Sequence, residues 1–553
     1  MSTLLSYPGV YIEEIPSGVH TIVGVATSIT AFVGRTPCGP VNEATTITSF
    51  GDFTNQFGGL TDTYPLTYAV NDFFANGGTQ AIIVRLFNAG GAANGGAANF
   101  SAGTLNLLAS SPGTWGNNLS AKVDTNNITA DVASQYSQYG LGVGDLFNLT
   151  LMETVNGQVV DTESYYAVSV KSSAGPRRVD VILQDQSELA LVLSPLPGSN
   201  PAVAAPAPPV APPGPPAVPP AAAPVPPAAP AVGVDSQSLQ LADYVGDGKT
   251  TGVYALEQAD LFNLLCIPPD QRDPMTGNTM DTAPAVWAQA LSYFTAYNKR
   301  AVLLIDAPLL WGTPAGKTNL LNNPTTALTP VLETSGPILR NAAIYYPRIT
   351  EPDPLRNGQL YEFAASGAVA GIIAQTDATR GVWKAPAGID AGLADAADLE
   401  VVLTDRENGL LNPVGINCLR SFPTIGMVVW GARTLRGADI LEDDYKYLPI
   451  RRLAHYIEES LYRGTKWAVF EPNDEPLWAA IRLSIGSFMQ DLFRKGAFQG
   501  TSARDAYFVK CDNTTTTAND QDLGIVNAVV GFSPLKPAEF VVLQIQQIQD
   551  SSG

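Results

Sequence analysis

Short apolar runs separated by amphipathic helical patterns dominate two parts of the chain. The runs ITAFVG, AIIVRLF, LFNLLCIP, AVLLIDAP and NAAIYYPRI have the length and the predominantly apolar character of strands buried on both faces. Patterns typical of helices, such as YPLTYAVNDFFANGG and PAVWAQALSYFTAYNKR, lie among them. Residues 26–90 together with 241–400 are therefore predicted to form one α/β domain.

Between these two parts the pattern changes to β-type runs and then to proline. Residues 91–194 include LFNLTLMETVNGQVVDTESYYAVSV, in which Asn156-Gly157 is typical of a tight hairpin turn. This pattern predicts a mostly β inserted domain on the surface. A proline-rich tract without charged residues follows, and it cannot build a packed core. Residues 195–240 are therefore predicted to be a spacer in polyproline II conformation.

The remaining third combines helices with a few strands. RRLAHYIEESLYRGTKW and PLWAAIRLSIGSFMQDLFRKG have helical patterns, and DAYFVKCD is typical of a strand. Residues 401–535 are therefore predicted to form an α+β C-terminal module.

Both ends of the chain are predicted to be extended arms. Pro8 and Pro16 exclude a helix over residues 1–25, where YPGVYIEEI suits a short edge strand. Residues 536–553 contain EFVVLQIQQI, a β-type run. Such a strand needs a ladder, because unpaired backbone groups are costly once removed from water. Periodicity alone leaves open whether that ladder lies in the same chain or in another copy.

Composition narrows the classes of function. The chain has 31 Lys and Arg against 51 Asp and Glu, a net charge of −20, which argues against sequence-independent nucleic-acid binding. Its 4 cysteines form no C-x-x-C pair, so we expect reduced, mostly buried thiols of a cytosolic protein. Without an apolar leader or a run of about 18 apolar residues, we expect no direct membrane insertion.

Two fragments resemble catalytic motifs without meeting their requirements. GDGKT ends like a phosphate-binding loop, but Asp243 stands where that loop needs its first glycine, so an ordinary turn is expected. GTSARD presents Ser502 in a setting like that of a subtilisin-type nucleophile, and Asp306 ends a predicted strand. A triad also needs a histidine base, and only His20 and His455 exist, the first in the arm and the second in a predicted helix, where it is expected to be solvated or capping.

A third fragment, Glu442 to Asp444, places three acids in a row. It lacks the spacing and the turn glycine of a calcium-binding EF-hand, so we expect a solvated acidic loop. No catalytic residue, metal site or cofactor is therefore predicted, and the chain is not expected to be an enzyme. Two alternatives stay open from the residues alone: a subtilisin-like hydrolase, and a monomeric binding module that uses its Pro-rich segment.

Several long stretches of the chain resemble the tail sheath proteins of contractile phage tails and related contractile injection systems. They are YPGVYIEEIPSG and SITAFVGRTPCGPVNEATTITSFGDFTNQFGG at the start, LTDRENGLLNPVGINCLRSFPTIGMVVWGARTL and RRLAHYIEESLYRGTKWAVFEPNDEPLW near the end, and KPAEFVVLQI in the last arm. PGTWGNNL and LFNLLCIP add to the resemblance in the middle. The matching stretches follow one another in the family's order.

The resemblance implies a fold and a function. The α/β domain would be subtilisin-like in fold without being a protease. Subunits would polymerise as stacked hexameric rings around an inner tube protein, with baseplate and terminal cap proteins at the ends and a second sheath paralogue as an optional partner. The assembly would form in the bacterial cytoplasm as part of a phage tail or tail-like particle, and its contraction would drive the tube through a target membrane.

The resemblance also implies which residues join the subunits. Each arm would add a strand to a sheet in a neighbouring subunit, which is β-augmentation between copies. The residues expected in these strands are Tyr7, Val10, Tyr11, Ile12, Phe540, Val541, Val542, Leu543 and Ile545. The tube would face the C-terminal module, whose basic candidates are Arg451, Arg452, Arg463, Lys466, Arg494 and Lys495.

Overall fold

A computed structural model describes residues 20–201, 231–273 and 275–544. The strands of these residues are β1 (Thr30–Gly34), β2 (Ala44–Ile47), β3 (Ala81–Arg85), β4 (Asn99–Ala102), β5 (Leu105–Ala109), β6 (Leu119–Asp124), β7 (Phe147–Val155), β8 (Gln158–Val168), β9 (Ala190–Val192), β10 (Leu264–Cys266), β11 (Val302–Asp306), β12 (Ala342–Tyr346), β13 (Ile349–Asp353), β14 (Gln359–Phe363), β15 (Asp398–Leu399), β16 (Ile416–Phe422), β17 (Gly426–Val429), β18 (Tyr507–Lys510) and β19 (Val529–Phe532).

The helices of the same residues are α1 (Phe50–Phe57), α2 (Leu66–Ala75), α3 (Ala130–Ser134), α4 (Val179–Gln186), α5 (Leu241–Val245), α6 (Pro284–Ala296), α7 (Pro314–Asn322), α8 (Pro324–Leu332), α9 (Ser366–Arg380), α10 (Asp405–Leu411), α11 (Leu448–Gly464), α12 (Glu475–Arg494), α13 (Ala503–Ala506) and α14 (Ala518–Asp522). The mixed α/β fold class expected from the sequence is confirmed.

An 8-stranded sheet in the order β17-β16-β12-β11-β10-β1-β3-β2 organises the α/β part. Its six inner strands run parallel, and the edge strands β2 and β17 are antiparallel to their neighbours. Successive side chains of β1 enter different cores: Ala31 and Val33 pack on the side of α6 and α8, whereas Phe32 packs on the side of α2 and α9. The sheet is thus covered by helices on both faces, as a parallel sheet requires.

Helix α9 approaches α2 closely because it presents glycines at the contact. A Cβ atom at Gly367 would collide with the Ala69 carbonyl, and one at Gly371 would lie 2.6 Å from the Phe73 carbonyl oxygen. Small residues at successive turns therefore let the two backbones meet, which fixes α2 against the sheet.

Two predicted boundaries of the α/β domain were wrong. Strand β16 pairs in parallel with β12, so residues 416–429 complete the large sheet rather than opening the C-terminal module at residue 401. Residues 231–240, assigned to the spacer, pack on folded parts of the chain. Gly233 exchanges hydrogen bonds with the Asn117 side chain of the inserted region, and the carbonyl of buried Ser236 accepts a hydrogen bond from Arg35 of the α/β domain. The Pro-rich residues 202–230 lie outside the described residues.

The inserted region has two separate 3-stranded sheets, β4-β5-β9 and β6-β7-β8. Leu105, Phe147 and Leu149 are buried in a core of its own. The β7–β8 hairpin turns at Asn156 (φ 51°) and Gly157 (φ 78°), the backbone geometry that an Asn-Gly turn favours.

The C-terminal module packs α11 and α12 against each other and against the β18–β19 hairpin. The described end of the predicted N-terminal arm also lies here. Ile22 is buried in this core, and the Val25 amide donates to the Ser460 hydroxyl at 3.2 Å. The prediction that residues 20–25 belong to the N-terminal arm was therefore wrong, because Ile22 and the Val25 amide have partners in their own chain.

Candidate functional site

The C-terminal segment leaves the body of the molecule at an ion pair. Arg433, whose side chain is 1% exposed, holds the Glu539 carboxylate at 2.5 Å. Arg433 also pairs with Asp439 at 2.9 Å, and the Tyr447 hydroxyl donates to Glu539 at 3.3 Å. Burial would raise the pKa of Glu539, but the hydrogen bonds and charge of Arg433 outweigh it and lower that pKa. Glu539 is thus an ionised anchor for the segment that follows.

Beyond the anchor the chain carries exposed apolar residues. Phe540, Val541, Val542 and Leu543 expose 76%, 78%, 80% and 82% of their surface. Within the described residues this β-type run is paired with no strand. Four consecutive large apolar side chains in water are unfavourable, which marks the run as a surface that gains from a partner. Ile545 and the N-terminal candidates Tyr7, Val10, Tyr11 and Ile12 lie outside the described residues.

The β18–β19 hairpin forms a small sheet close to the point where this segment begins. It is 2-stranded as far as the chain is described, so each strand has one edge without a neighbour. Phe508 and Val529 on it are 50% and 46% exposed. A groove of about 910 Å³ runs beside it, lined by Tyr445, Ile450 and Phe532 among others. The groove also has acidic and basic members, such as Asp444 and Arg504. An open strand edge beside a groove is the geometry that accepts an added strand.

The first two basic candidates on α11 are held inside the molecule. Arg452 is buried and pairs with Asp377 at 2.5 Å, with both side chains 3% exposed. The prediction that Arg452 faces a tube was therefore wrong, because its partner on α9 draws it into the interior. Arg451 donates to the Asn341 side chain at 2.8 Å, and its side chain is 17% exposed.

The other four basic candidates are more accessible. Arg463 binds Asp260 at 2.6 Å and Glu459 at 2.7 Å, and its side chain is 31% exposed. Arg494 is 73% exposed, with Asp491 at 3.9 Å. Lys466 and Lys495 are exposed and form no ion pair with the described residues. Lys466, Arg494 and Lys495 therefore remain as freely presented charges.

The residues of the suspected triad each have other partners. Ser502 donates to Asp505 at 2.7 Å at the start of α13. Asp306, at the end of β11, accepts from the Ser366 amide and hydroxyl at 2.8 Å, and burial raises its pKa to about 6. His20 stacks on Trp467 with ring centroids 3.9 Å apart. These contacts are structural caps and packing rather than a nucleophile–base pair.

Two expectations about exposed polar groups were wrong. His455 is buried, not solvated; burial and the charges of nearby arginines lower its pKa well below the usual value. Asp443 is also buried, with its side chain 1% exposed between Arg340 and Arg436, so the acidic run is not a fully solvated loop. In both cases one of the arginines comes from a distant part of the chain: Arg300 for His455 and Arg340 for Asp443.

The remaining motifs and the cysteines behave as the sequence indicates. Asp247 in GDGKT accepts hydrogen bonds from the amides of Lys249 and Thr250, which closes an ordinary turn. Cys266, Cys418 and Cys511 are buried and Cys38 is partly so, all as free thiols. Across the described ranges, no three His, Cys, Asp or Glu side chains are grouped as metal ligands. None of the helices described has the length and apolar character that a membrane crossing requires.

Solved structures with this fold come from contractile particles. The chain superposes on a protein of the anti-feeding prophage helical sheath in the contracted state with a TM-score of 0.55 and 22% identity, covering 99% of this chain and 100% of that one. A protein from the anti-feeding prophage baseplate matches with a TM-score of 0.55 and 20% identity over 99% and 100% of the two chains. The chain therefore shares its fold with these proteins.

Sequence comparison finds two phage tail sheath domains in the chain. The phage tail sheath protein central domain matches residues 339–435, and the phage tail sheath C-terminal domain matches residues 442–548. The tail sheath protein of Vibrio phage KVP40 is 25% identical over 179 residues, which are 32% of this chain and 25% of that protein. The match thus spans about a quarter of that relative's length. Residues 339–435 and 442–548 therefore match two domains of phage tail sheath proteins, and the resemblance inferred from the sequence is confirmed.

Proposed function

We propose that the protein is the structural subunit of a contractile sheath. Subunits would stack as hexameric rings around an inner tube, and contraction would drive the tube through a target membrane. The observation that carries this proposal is the pair of tail sheath domains on a chain whose whole length follows the fold of a contracted sheath protein. The exposed run from Phe540 to Leu543 supports it, because it is a β-type run that pairs with no strand of the part of the chain that the structure describes.

The subunits would be joined by strand donation. The run from Phe540 to Leu543 of one copy would add to an open edge of the β18–β19 hairpin of another, with Glu539 fixing where the donated strand leaves its own subunit. Main-chain hydrogen bonds then hold neighbours together while the arm reorients. A contact between different surfaces of identical copies extends indefinitely, which suits a helical assembly.

The tube, baseplate and cap belong to the same proposal. Lys466, Arg494 and Lys495 are the basic side chains available to hold an inner tube, and such contacts would weaken with salt. The likeness to a baseplate protein of the anti-feeding prophage supports a baseplate partner. Assembly in the bacterial cytoplasm, a terminal cap and a second sheath paralogue follow from the family alone. A subtilisin-like origin of the α/β domain is in keeping with its parallel sheet and with Asp306 at the end of β11.

Truncation tests the proposal directly. Removing residues 541–553 is expected to leave a folded subunit that no longer forms long tubes in electron micrographs, and removing residues 1–19 is expected to do the same. Removing only residues 551–553 is the matched control and should leave assembly intact. Normal tubes from either long truncation would overturn strand donation. A full-length chain that never assembles, with or without a tube protein, would overturn the sheath function.

A further inference from the structure

The loop between α11 and α12 presents an apolar tip that its own molecule does not cover. Val469 is 62% exposed and Phe470 is 102% exposed. Phe470 also adopts a φ of 71°, a left-handed conformation that is unfavourable for a bulky residue and is retained where the surroundings impose it. We call Val469, Phe470 and Glu471 the loop tip.

The base of this loop is fixed, so the tip is held in place. The Asn473 side chain donates to the Ile525 carbonyl at 3.0 Å and accepts from the Trp478 indole at 2.9 Å. The Glu471 amide donates to the Ala468 carbonyl at 3.3 Å. A pre-organised apolar anchor loses little conformational freedom on binding, which favours its use as a contact.

The surroundings of the tip are apolar and acidic. Leu523 and Ile525, joined to the loop through Asn473, are 65% and 43% exposed. Glu471 and Asp522 are exposed and form no ion pair with any described residue. A partner for this surface therefore needs an apolar pocket with basic groups at its border.

A groove of about 690 Å³ on the same protein combines aromatic walls with basic side chains. Trp383 and Trp430 line it, and its basic members are Arg380, Lys384, Lys495 and Lys536. Two charges of the groove are paired: Arg380 lies 3.8 Å from Asp390, and the Glu539 carboxylate is bound by Arg433. The three lysines therefore have no acidic partner in the groove. We call it the lysine groove. In a chain with a net charge of −20 such a site is unusual.

We propose that the loop tip of one copy inserts into the lysine groove of a second copy, with Phe470 between the tryptophans and Glu471 beside Lys536. The tip is fixed on its own surface and fully exposed there, so the groove that receives it belongs to another molecule. Tip and groove are different surfaces, so the contact propagates from copy to copy. This inference rests on the proposed helical assembly and adds a second contact beside strand donation, with a groove lined in part by residues 535–540 at the base of the C-terminal arm.

Charge exchange tests the contact in the full-length chain. Phe470→Ala is expected to reduce tube formation about tenfold, since aromatic anchors dominate such interfaces. Glu471→Lys and Lys536→Glu should each weaken assembly, and the chain carrying both should recover to within about threefold of the unmodified protein. Ile440→Ala is the matched control, because Ile440 is 91% exposed in another acidic turn. Unchanged assembly of Phe470→Ala, or additive losses in the double variant, would overturn the inference.

Disulfide trapping separates a second copy from the tube as the occupant. A mixture of Phe470→Cys chains and Ala538→Cys chains should give a crosslinked dimer that neither variant forms alone. Native thiols compete poorly, since three are buried and burial raises the pKa of Cys38 to about 11. If tubes formed without this crosslink, the proposed contact would be overturned and the sheath function would still stand. The same conclusion would follow if Phe470→Ala lost only its binding to the tube protein and still assembled normally. Absence of any assembly by the unmodified chain would instead overturn the sheath function.

Discussion

The Arg433 guanidinium donates hydrogen bonds of 2.8 Å and 2.5 Å to the carboxylate of Glu539, which lies 106 residues later in the chain. The arginine belongs to the region just after the large sheet, and the glutamate immediately precedes the exposed run from Phe540 to Leu543. This pair therefore ties the direction of the C-terminal segment to the rigid α/β body. A force transmitted through the arm would reach the sheet through this contact.

Replacing Glu539 by Gln is expected to loosen that anchor. Arg433 would keep Asp439 at 2.9 Å but lose a charged partner, which costs about 1–3 kcal/mol of unfolding free energy. Urea denaturation measures this loss, and electron microscopy should show shorter tubes. Glu442→Gln, at an exposed position nearby, is the control and should change neither quantity. Equal stability of Glu539→Gln and the unmodified chain would contradict the anchoring role.

Arg452→Leu distinguishes a structural arginine from a tube contact. Removing it leaves the Asp377 carboxylate buried and unpaired, so we expect a loss of about 3–5 kcal/mol in denaturant unfolding. The exposed Lys466→Ala should stay within about 0.5 kcal/mol of the unmodified chain. An Arg452→Leu subunit that is fully stable but fails to bind tube protein would restore the tube-facing assignment.

The buried acids Glu351 and Asp72 should contribute less stability to the fold as the pH rises from about 4.5 to about 7. Burial raises the pKa of Glu351 from 4.5 to about 7, and burial together with the Glu351 charge raises that of Asp72. The folded state thus keeps protons that the unfolded chain has already released, so its advantage is complete below pH 4.5 and is lost as the pH passes through 7. For Glu351 alone the change is roughly 3 kcal/mol.

Glu351→Gln tests this assignment, because it removes one of the two buried acids that face each other between α2 and β13. Denaturant midpoints measured from pH 4.5 to 8 should show a smaller decline in the variant than in the unmodified chain. The charge of Asp395 also raises the pKa of Asp72, so it contributes to the pH dependence of stability that remains in the variant. Parallel pH profiles for the two proteins would show that the slope arises elsewhere.

The fold was predictable where local pattern determines it. The run AIIVRLF is apolar except for Arg85 because β3 lies inside a sheet covered on both faces. Helix α1 ends at Gly58, whose φ of 88° suits glycine. Membership of β16 in the large sheet was not predictable in this way. Its pairing with β12 joins residues about 70 positions apart in the chain. The local periodicity of the sequence does not indicate which strands pair over such a distance.

The candidate site likewise has features that the sequence predicts and features that only the tertiary structure reveals. The β character of Val541 and Val542 is visible in the sequence, because β-branched residues favour strands. The burial of Arg452 is not, since a charged residue on an amphipathic helix is expected to face water until its partner is known. Asp377 lies on a different helix, and only the tertiary fold brings the two together.

Proline substitution in the exposed run tests whether it acts as a donated strand. Proline removes the backbone N–H and fixes φ, so it breaks a ladder without removing apolar surface. Neighbouring residues of an edge strand point their amides to opposite sides, so at least one of Val541→Pro and Val542→Pro must lose a hydrogen bond to the accepting strand. Because the run is exposed in the isolated subunit, neither variant should change its unfolding free energy by more than about 0.5 kcal/mol. Tube formation should nevertheless fall in at least one of them, whereas Val541→Thr and Val542→Thr, which keep the amide and the β-branched shape, should assemble normally. If both proline variants formed tubes as the threonine controls do, the run would be acting through its apolar surface alone and not as a strand.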